Sequence, residues 1–213
     1  MEDLTVYPAD SDTAALLLAH GAGAGQRSPF MTATARALAT RGIVTGTFDF
    51  PYMQARRKVP DRAPVLEEAW RAAVASARET DGFRGLPLFI GGKSMGGRIA
   101  SQAAAAQALG VAGLIFLGYP LHPPGKPEQR RDGHLPSIAA PMLFVQGSRD
   151  TFGTADEIRD LLPRLERAEL HVVDNGDHSF KVPKTGGKSQ EDVMEEIYDR
   201  IVAFVRACVA GQP

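Results

Sequence analysis

A serine flanked by glycines is the residue of this chain best suited to nucleophilic chemistry. Residues 92–96 read Gly-Lys-Ser-Met-Gly and place Ser94 between an apolar run, residues 86–90, and an Ala-rich stretch, residues 95–109. The apolar run predicts a buried strand and the Ala-rich stretch predicts a helix, so Ser94 lies on the turn between them. A side chain at either flanking glycine would collide with the backbone of so sharp a turn. We therefore predict that the turn presents the Ser94 hydroxyl as a nucleophile.

A serine hydroxyl is a weak nucleophile unless a general base accepts its proton, and histidine is the usual base. The histidines of the chain are His20, His122, His134, His171 and His178. His178 follows the last predicted strand, residues 170–173, on a loop that can reach over the strand tips, so we predict His178 as the base. His171 lies inside that strand and is predicted to be structural. His122 and His134 lie in a long loop and are predicted to be exposed.

The base in turn needs a carboxylate to orient it, and the expected chain order is serine, acid, histidine. Asp150 directly follows a predicted strand, residues 142–145, and lies between the predicted nucleophile and base, so we predict it as the acid. Its alternative role is to cap a helix beginning at Thr154. The other candidate acids are Asp49, Asp174 and Asp177. Asp177 is disfavoured because adjacent residues on an extended chain point apart.

A glycine-rich segment provides the candidate oxyanion hole. Residues 20–25 read His-Gly-Ala-Gly-Ala-Gly and follow an early apolar run. Glycines allow the backbone to approach a ligand closely, and its N–H groups can stabilise a developing negative charge. We predict the N–H groups of Ala22 and Met95 as the donors, with Gly23 as the alternative to Ala22. His20 is predicted to hold this loop by hydrogen bonding.

Two nucleotide-binding interpretations fail on spacing. Residues 92–94, Gly-Lys-Ser, resemble the end of a P-loop, but the glycine required five positions earlier is replaced by Pro87. Residues 21–25 superficially resemble a dinucleotide-binding fingerprint, but its third glycine would fall at Gln26. We therefore exclude a nucleotide hydrolase and a dinucleotide-binding protein.

The elements that must position these residues alternate between strand and helix. Strands are predicted at residues 4–7, 14–19, 43–50, 86–90, 111–117, 142–145 and 170–173. Helices are predicted at residues 28–40, 64–79, 95–109, 154–165 and 189–209. Residues 52–63 and 120–137 are predicted loops, the second forming at most a minimal lid. This alternation predicts an α/β fold with a mostly parallel central sheet flanked by helices on both faces, in a single domain over residues 1–213.

Composition narrows the class of protein further. The 24 Lys and Arg residues nearly balance the 25 Asp and Glu residues, which argues against a nucleic-acid partner. Cys208 is the only cysteine, so an intrachain disulfide is excluded. Side chains that bind metals show no ligand spacing, and we expect neither a metal nor another cofactor. Without a signal-peptide pattern or a bilayer-spanning apolar run, we expect a soluble cytoplasmic protein with no membrane partner.

Five motifs together resemble the α/β-hydrolase superfamily along nearly the whole chain. They are HGAGAG at 20–25, DFPY at 49–52, GKSMGGR at 92–98, GSRDTFG at 147–153 and GDHSF at 176–180. The combination resembles the dienelactone-hydrolase-like group, closest to the branch of testis-expressed hydrolase-like proteins and a chromatin acetyltransferase complex subunit. The resemblance implies an α/β-hydrolase fold with Ser94, Asp150 and His178 at the triad positions. Dienelactone hydrolases proper use a cysteine where this chain has Ser94, so their specific reaction is not implied.

The residues and the resemblance together predict a serine hydrolase that acts on small carboxylic esters through an acyl-enzyme intermediate. A minimal lid leaves the site open, which favours a small-molecule ester over a long lipid. The alternative is a non-catalytic interaction module on the same fold, because some members of the closest branch serve as subunits without established catalysis. The complete set of catalytic residue types favours the enzyme. The acyl chain, the type of acyl bond and the oligomeric state are left open.

Overall fold

A seven-stranded sheet forms the centre of the fold in the computed structural model, which describes residues 4–10, 13–183 and 187–211. The strands are β1 Thr5–Tyr7, β2 Ala14–Ala19, β3 Ile43–Phe48, β4 Leu88–Lys93, β5 Gly113–Leu117, β6 Met142–Gly147 and β7 Ala168–Val173. Their spatial order is β1-β3-β2-β4-β5-β6-β7. The edge strand β1 is antiparallel to β3, and every other neighbouring pair is parallel. The predicted mostly parallel sheet is confirmed.

Helices cover both faces of this sheet, as the alternating pattern predicts. The described helices are α1 Pro29–Ala39, α2 Pro51–Gln54, α3 Ala63–Glu79, α4 Met95–Ala106, α5 Ala155–Arg159 and α6 Gln190–Ala210. Because successive strand residues point to opposite faces, Leu17 of β2 belongs to the hydrophobic cluster with α3 and α4. Leu16 and Leu18 belong to the cluster with α1 and α6. Among the described residues, no helix is both long enough and apolar enough to cross a membrane.

Two helix predictions need correction. Residues 52–63 were predicted as a loop, yet they overlap the one-turn helix α2, which begins with Pro51 at its first position. The helix predicted over residues 154–165 is split into α5 and a 3₁₀ turn, Leu162–Arg164. Pro163 explains the break, because proline lacks the N–H that would continue the α-helix and disfavours helical geometry in the preceding residue.

The segment at residues 120–137 is irregular apart from the 3₁₀ turn Leu135–Ser137, but it packs closely against the domain. Leu121 and Leu135 are fully buried. His122 is also buried, with its Nε2 3.1 Å from a carboxylate oxygen of Glu157. His134 is half-buried, and its Nε2 lies 2.7 Å from the Ser101 hydroxyl. The prediction that these two histidines are exposed is therefore wrong, because each finds a polar partner on a neighbouring helix.

Candidate active site

Ser94 lies on a strained turn between β4 and α4, with φ 51° and ψ −116°. A positive φ is unfavourable for serine by about 1–3 kcal/mol and persists only where surrounding contacts hold it. The Ser94 N–H donates to the carbonyl of Leu117 on β5 at 3.0 Å. The Trp70 indole N–H on α3 donates to the carbonyl of Gly96 at 3.1 Å. The neighbouring strand and helix thus hold the turn on both sides of the serine.

The two glycines of the turn are required because the end of β2 lies against it. A Cβ on Gly92 would lie 2.1 Å from the carbonyl oxygen of Ala19, and a Cβ on Gly96 would lie 2.3 Å from the same oxygen. Both distances are far shorter than any contact that a side chain tolerates. The predicted collision is confirmed, and the structure identifies the main chain of β2 as the obstacle.

The side chains of Ser94, His178 and Asp150 form one chain of hydrogen bonds. His178 Nε2 lies 2.8 Å from Ser94 Oγ, and His178 Nδ1 lies 2.7 Å from Asp150 Oδ2. In this arrangement the Nδ1–H donates to the carboxylate, which leaves Nε2 free to accept the serine proton. The structure therefore brings together three residues that the sequence separates by 84 and 28 positions.

The buried carboxylate of Asp150 has a full set of hydrogen-bond donors. Besides His178, the Gln146 amide donates to its Oδ2 at 2.9 Å and the Phe152 N–H donates to its Oδ1 at 2.8 Å. Asp150 is 1% exposed, and burying a charge is unfavourable unless hydrogen bonds compensate it. These donors satisfy the carboxylate and hold it in one orientation toward the imidazole.

The other candidate carboxylates do not pair with His178: two of them hold loops and one is exposed. Asp177 accepts hydrogen bonds from two N–H groups of its own loop, at 2.7 and 2.9 Å. Asp49 accepts the N–H of Gln26 at 2.7 Å, and Asp174 is exposed. The alternative capping role of the predicted acid is also filled by another residue, because Thr154 caps α5 in a capping box. The histidine is therefore paired with the carboxylate that the sequence favours.

His20 is a buried residue that holds the glycine-rich loop, as predicted. Its Nδ1 lies 2.8 Å from the carbonyl of Gly21, and its Nε2 lies 3.2 Å from the N–H of Phe50. Nδ1 therefore donates and Nε2 accepts, which is the pattern of a neutral imidazole. Burial lowers the pKa of His20 below its ordinary value, and this favours the same neutral form.

The predicted oxyanion donors flank Ser94. Met95 is the first residue of α4, and Ala22 lines a cleft that opens beside Ser94. The glycine-rich loop runs close to the serine, since a Cβ on Gly21 would lie 3.5 Å from Ser94 Cβ. The N–H groups of Ala22 and Met95 have no hydrogen-bond acceptor among the residues described. The assignment of these two amides as oxyanion donors, and the choice of Ala22 over Gly23, stay predictions.

Comparison with known proteins places the chain in a family. Residues 12–206 match the family described as "Alpha/beta hydrolase domain". The chain belongs to this family.

Solved structures of similar fold include a lidless α/β serine hydrolase from Xanthomonas campestris, with a TM-score of 0.74 and 21% identity over 99% of this chain and 91% of that chain. An α/β serine hydrolase homologue from Coxiella burnetii has a TM-score of 0.73 and 18% identity, covering 94% of this chain and 90% of that chain. A dienelactone hydrolase from Anabaena variabilis has a TM-score of 0.71 and 20% identity, covering 92% and 88%. At these identities the likeness concerns the fold.

The cleft beside Ser94 in this α/β-hydrolase domain has a volume of about 520 Å³. Its walls are largely apolar and include Pro29, Phe30, Met31 and Phe152. Two lysines, Lys93 and Lys181, also line it, and no residue of the segment 120–137 does. Among the described residues, no group of three or more His, Cys, Asp or Glu side chains is arranged to hold a metal ion.

Three residues that contribute to the site were missed by sequence reasoning. Gln146 orients Asp150 from within β6, and a glutamine in this otherwise apolar strand was a signal for such a role. Phe152 stacks on His178 with the ring centroids 4.3 Å apart. Lys93 contacts the loop of His178, although the sequence suggested it only as a P-loop lysine. Neither of the last two contacts has a signal in the local sequence.

Proposed function

We propose that this chain is a serine hydrolase that acts on small carboxylic esters, with Ser94 as nucleophile, His178 as general base and Asp150 as the orienting acid. The observation that carries the proposal is the continuous hydrogen-bonded relay from Ser94 Oγ through both imidazole nitrogens to Asp150, with distances of 2.8 and 2.7 Å. This is the arrangement that acyl transfer requires, because proton removal and nucleophilic attack can occur together.

In the first half-reaction, Ser94 Oγ attacks the ester carbonyl while His178 Nε2 accepts the hydroxyl proton. The N–H groups of Ala22 and Met95 stabilise the oxyanion of the tetrahedral intermediate. Asp150 stabilises the imidazolium without accepting its proton. The intermediate collapses when His178 returns the proton to the leaving alkoxide, which leaves the acyl group on Ser94.

In the second half-reaction, a water molecule replaces the departed alcohol. His178 removes a proton from the water, which attacks the acyl carbonyl, and the carboxylic acid leaves as Ser94 regains its hydrogen. The same three side chains therefore serve both halves, and no step requires a cofactor.

The shape of the cleft supports small esters as the substrate class. A volume of about 520 Å³ suits a small ligand, and the apolar walls near Phe30 and Phe152 suit an uncharged acyl or alcohol group. The packed segment 120–137 leaves the cleft uncovered. A long lipid would extend beyond these walls, so short acyl esters are the preferred substrates.

The intact relay favours the enzyme over a non-catalytic interaction module. A module of that kind does not need Asp150 to accept three hydrogen bonds, one of them from His178. It also does not need Ser94 to be held in a strained conformation. We also propose kinship with the testis-expressed hydrolase-like branch within the family, on the five motifs described above. That kinship leaves the reaction open, and the assay below tests it directly.

The test is active-site labelling. A fluorophosphonate probe is expected to label the wild type at Ser94, as located by mass mapping, and p-nitrophenyl acetate is expected to be hydrolysed. Ser94→Ala should abolish labelling and lower kcat by about 10³-fold or more. Ser137→Ala is the control, because Ser137 is exposed and does not line the cleft, and it should keep both activities. A wild type that is not labelled, with Ser94→Ala hydrolysing ester equally fast, would refute the proposal. In that case a single stoichiometric partner in a pull-down would favour the interaction module.

A further inference from the structure

Lys93 connects the nucleophile strand to the loop of the predicted base. It is the last residue of β4 and directly precedes Ser94. Its ammonium group donates a hydrogen bond to the main-chain carbonyl of His178. The same ammonium lies 5.2 Å from the ring centroid of Phe180 and 6.0 Å from that of Phe30, within the range of cation–π attraction. The Lys93 ammonium therefore contacts both the His178 loop and helix α1.

The space for this contact is provided by a glycine at the end of β5. Gly118 has φ 70°, and a Cβ there would lie 2.8 Å from Lys93 Nζ and 3.4 Å from His178 Nδ1. A larger residue would crowd the Lys93 ammonium and the His178 carbonyl, which would lie 3.2 Å from the same Cβ. The ammonium is thus fitted against the main chain of the histidine whose ring nitrogens contact the nucleophile and the acid.

The loop that carries His178 depends on contacts of this kind because it has no regular structure. Asn175 and Phe180 on either side of the histidine have φ values of 57° and 61°. The hydrogen bonds of Asp177 stay within the loop, and Gly176 contacts the loop after β6 through its carbonyl. The hydrogen bond from Lys93 joins this loop to the strand that precedes the nucleophile.

We propose that Lys93 is a positioning residue that fixes the His178 main chain to β4 and so keeps the imidazole in line between Ser94 and Asp150. This inference rests on the proposed hydrolase function. A small displacement of a general base lowers the rate strongly, because proton transfer requires a hydrogen-bonded geometry. Lys93 touches neither of the proposed reacting groups through its ammonium, and it acts through the main chain of His178.

The charge of Lys93 supplies a readout that a purely structural residue would not show. Burial lowers the pKa of Lys93 to about 8, while the carboxylates of Asp150 and Asp177 oppose this effect. The other titratable groups near it are His178 and Lys181, which line the same cleft. The cation is present below this pKa and is lost as the pH rises through it. The catalytic rate should therefore fall above about pH 8 in the wild type.

The experiment compares Lys93→Met, which loses both donor and charge, with Lys93→Gln, which keeps a donor but not the charge. In Lys93→Met, the rate of fluorophosphonate labelling and kcat should fall on the order of tenfold with KM nearly unchanged. Lys93→Gln should be intermediate, and neither variant should show the decline near pH 8. Lys126→Met is the control, because Lys126 is exposed and does not line the cleft, and it should behave as the wild type. Circular dichroism and Tm establish that each variant is folded.

The outcomes separate this inference from the proposed function. If the wild type is labelled at Ser94 and folded Lys93→Met is labelled equally fast with the same pH profile, the role of Lys93 is overturned and the proposed function stands. If the wild type is not labelled at all, the proposed function fails and this inference fails with it. A fall in kcat with loss of the alkaline decline supports the positioning role.

Discussion

The loops after β2 and β7 each carry a histidine whose two ring nitrogens are both hydrogen-bonded, yet the two rings are suited to different tasks. The partners of His20 are the main-chain groups of Gly21 and Phe50. Those of His178 are the side chains of Asp150 and Ser94. His20 is fully buried, whereas His178 lines the cleft.

The comparison teaches that the partners determine what a histidine can do. Asp49 Oδ1 lies 3.4 Å from His20 Nε2, but that nitrogen accepts the Phe50 N–H, so the carboxylate is not hydrogen-bonded to the ring. The main-chain carbonyl and amide hold the imidazole in place, but they offer neither a proton to accept nor a hydrogen-bonded negative charge that stabilises its cation. A hydroxyl and a carboxylate provide both. Burial lowers the pKa of His20, although Asp49 opposes this effect, and so favours a neutral imidazole that braces the loop. His178 has the partners that a general base requires.

Replacing His178 should produce the largest effect on activity. His178→Ala is expected to lower kcat and the labelling rate by about 10⁴-fold, because it removes the nitrogen that is placed to accept the Ser94 proton. The variant should stay folded by circular dichroism. His171→Ala, a half-buried histidine on β7, is the matched control and should keep wild-type activity. Substantial activity in His178→Ala would assign the base to another residue.

Replacing His20 should instead affect stability. His20→Ala leaves the Phe50 N–H and the Gly21 carbonyl without their partner and creates a cavity beside the rings of Phe50 and Tyr52. We expect the free energy of unfolding in urea to fall by about 3 kcal/mol. Activity per folded molecule should change by about tenfold at most. A variant as stable as the wild type but inactive would mean that His20 takes part in the chemistry.

The smallest expected effect is on the pH dependence of stability. Because the pKa of His20 is lowered in the folded protein, the unfolded chain binds its proton first as the pH falls below the ordinary value of 6.5. Stability is therefore complete above that value and declines below it. Burial lowers the pKa values of His134 and His171 as well, and they add to the decline. Unfolding curves between about pH 8 and 5 should show a shallower slope in His20→Ala. Equal slopes would contradict the assignment of His20 as a neutral brace.

Many of the strands and helices were predictable from the sequence, because apolar periodicity and turn residues act over a few neighbouring positions. The predicted strand at residues 14–19 coincides with β2, and the turn at Ser94 was predicted from its two glycines and the elements around it. Exposure was less predictable. His122 and His134 were predicted to be exposed because their segment is rich in Pro, Gly and charged residues. Their burial follows from contacts with Ser101 on α4 and Glu157 on α5, and the local sequence contains no pattern that predicts these contacts.

The sequence by itself determined the strand–turn–helix at Ser94, the strand that His178 follows, and the α/β class of the fold. Each depends on neighbouring residues, whose apolar periodicity and turn chemistry act over a few positions. Only the tertiary structure paired His178 with Asp150 among four candidate carboxylates, and only it placed Lys93 beneath the His178 loop. The order of β4, β5, β6 and β7 in the sheet brings these distant groups within hydrogen-bond distance. That order depends on pairing between strands that are far apart in the chain, which local sequence patterns do not specify.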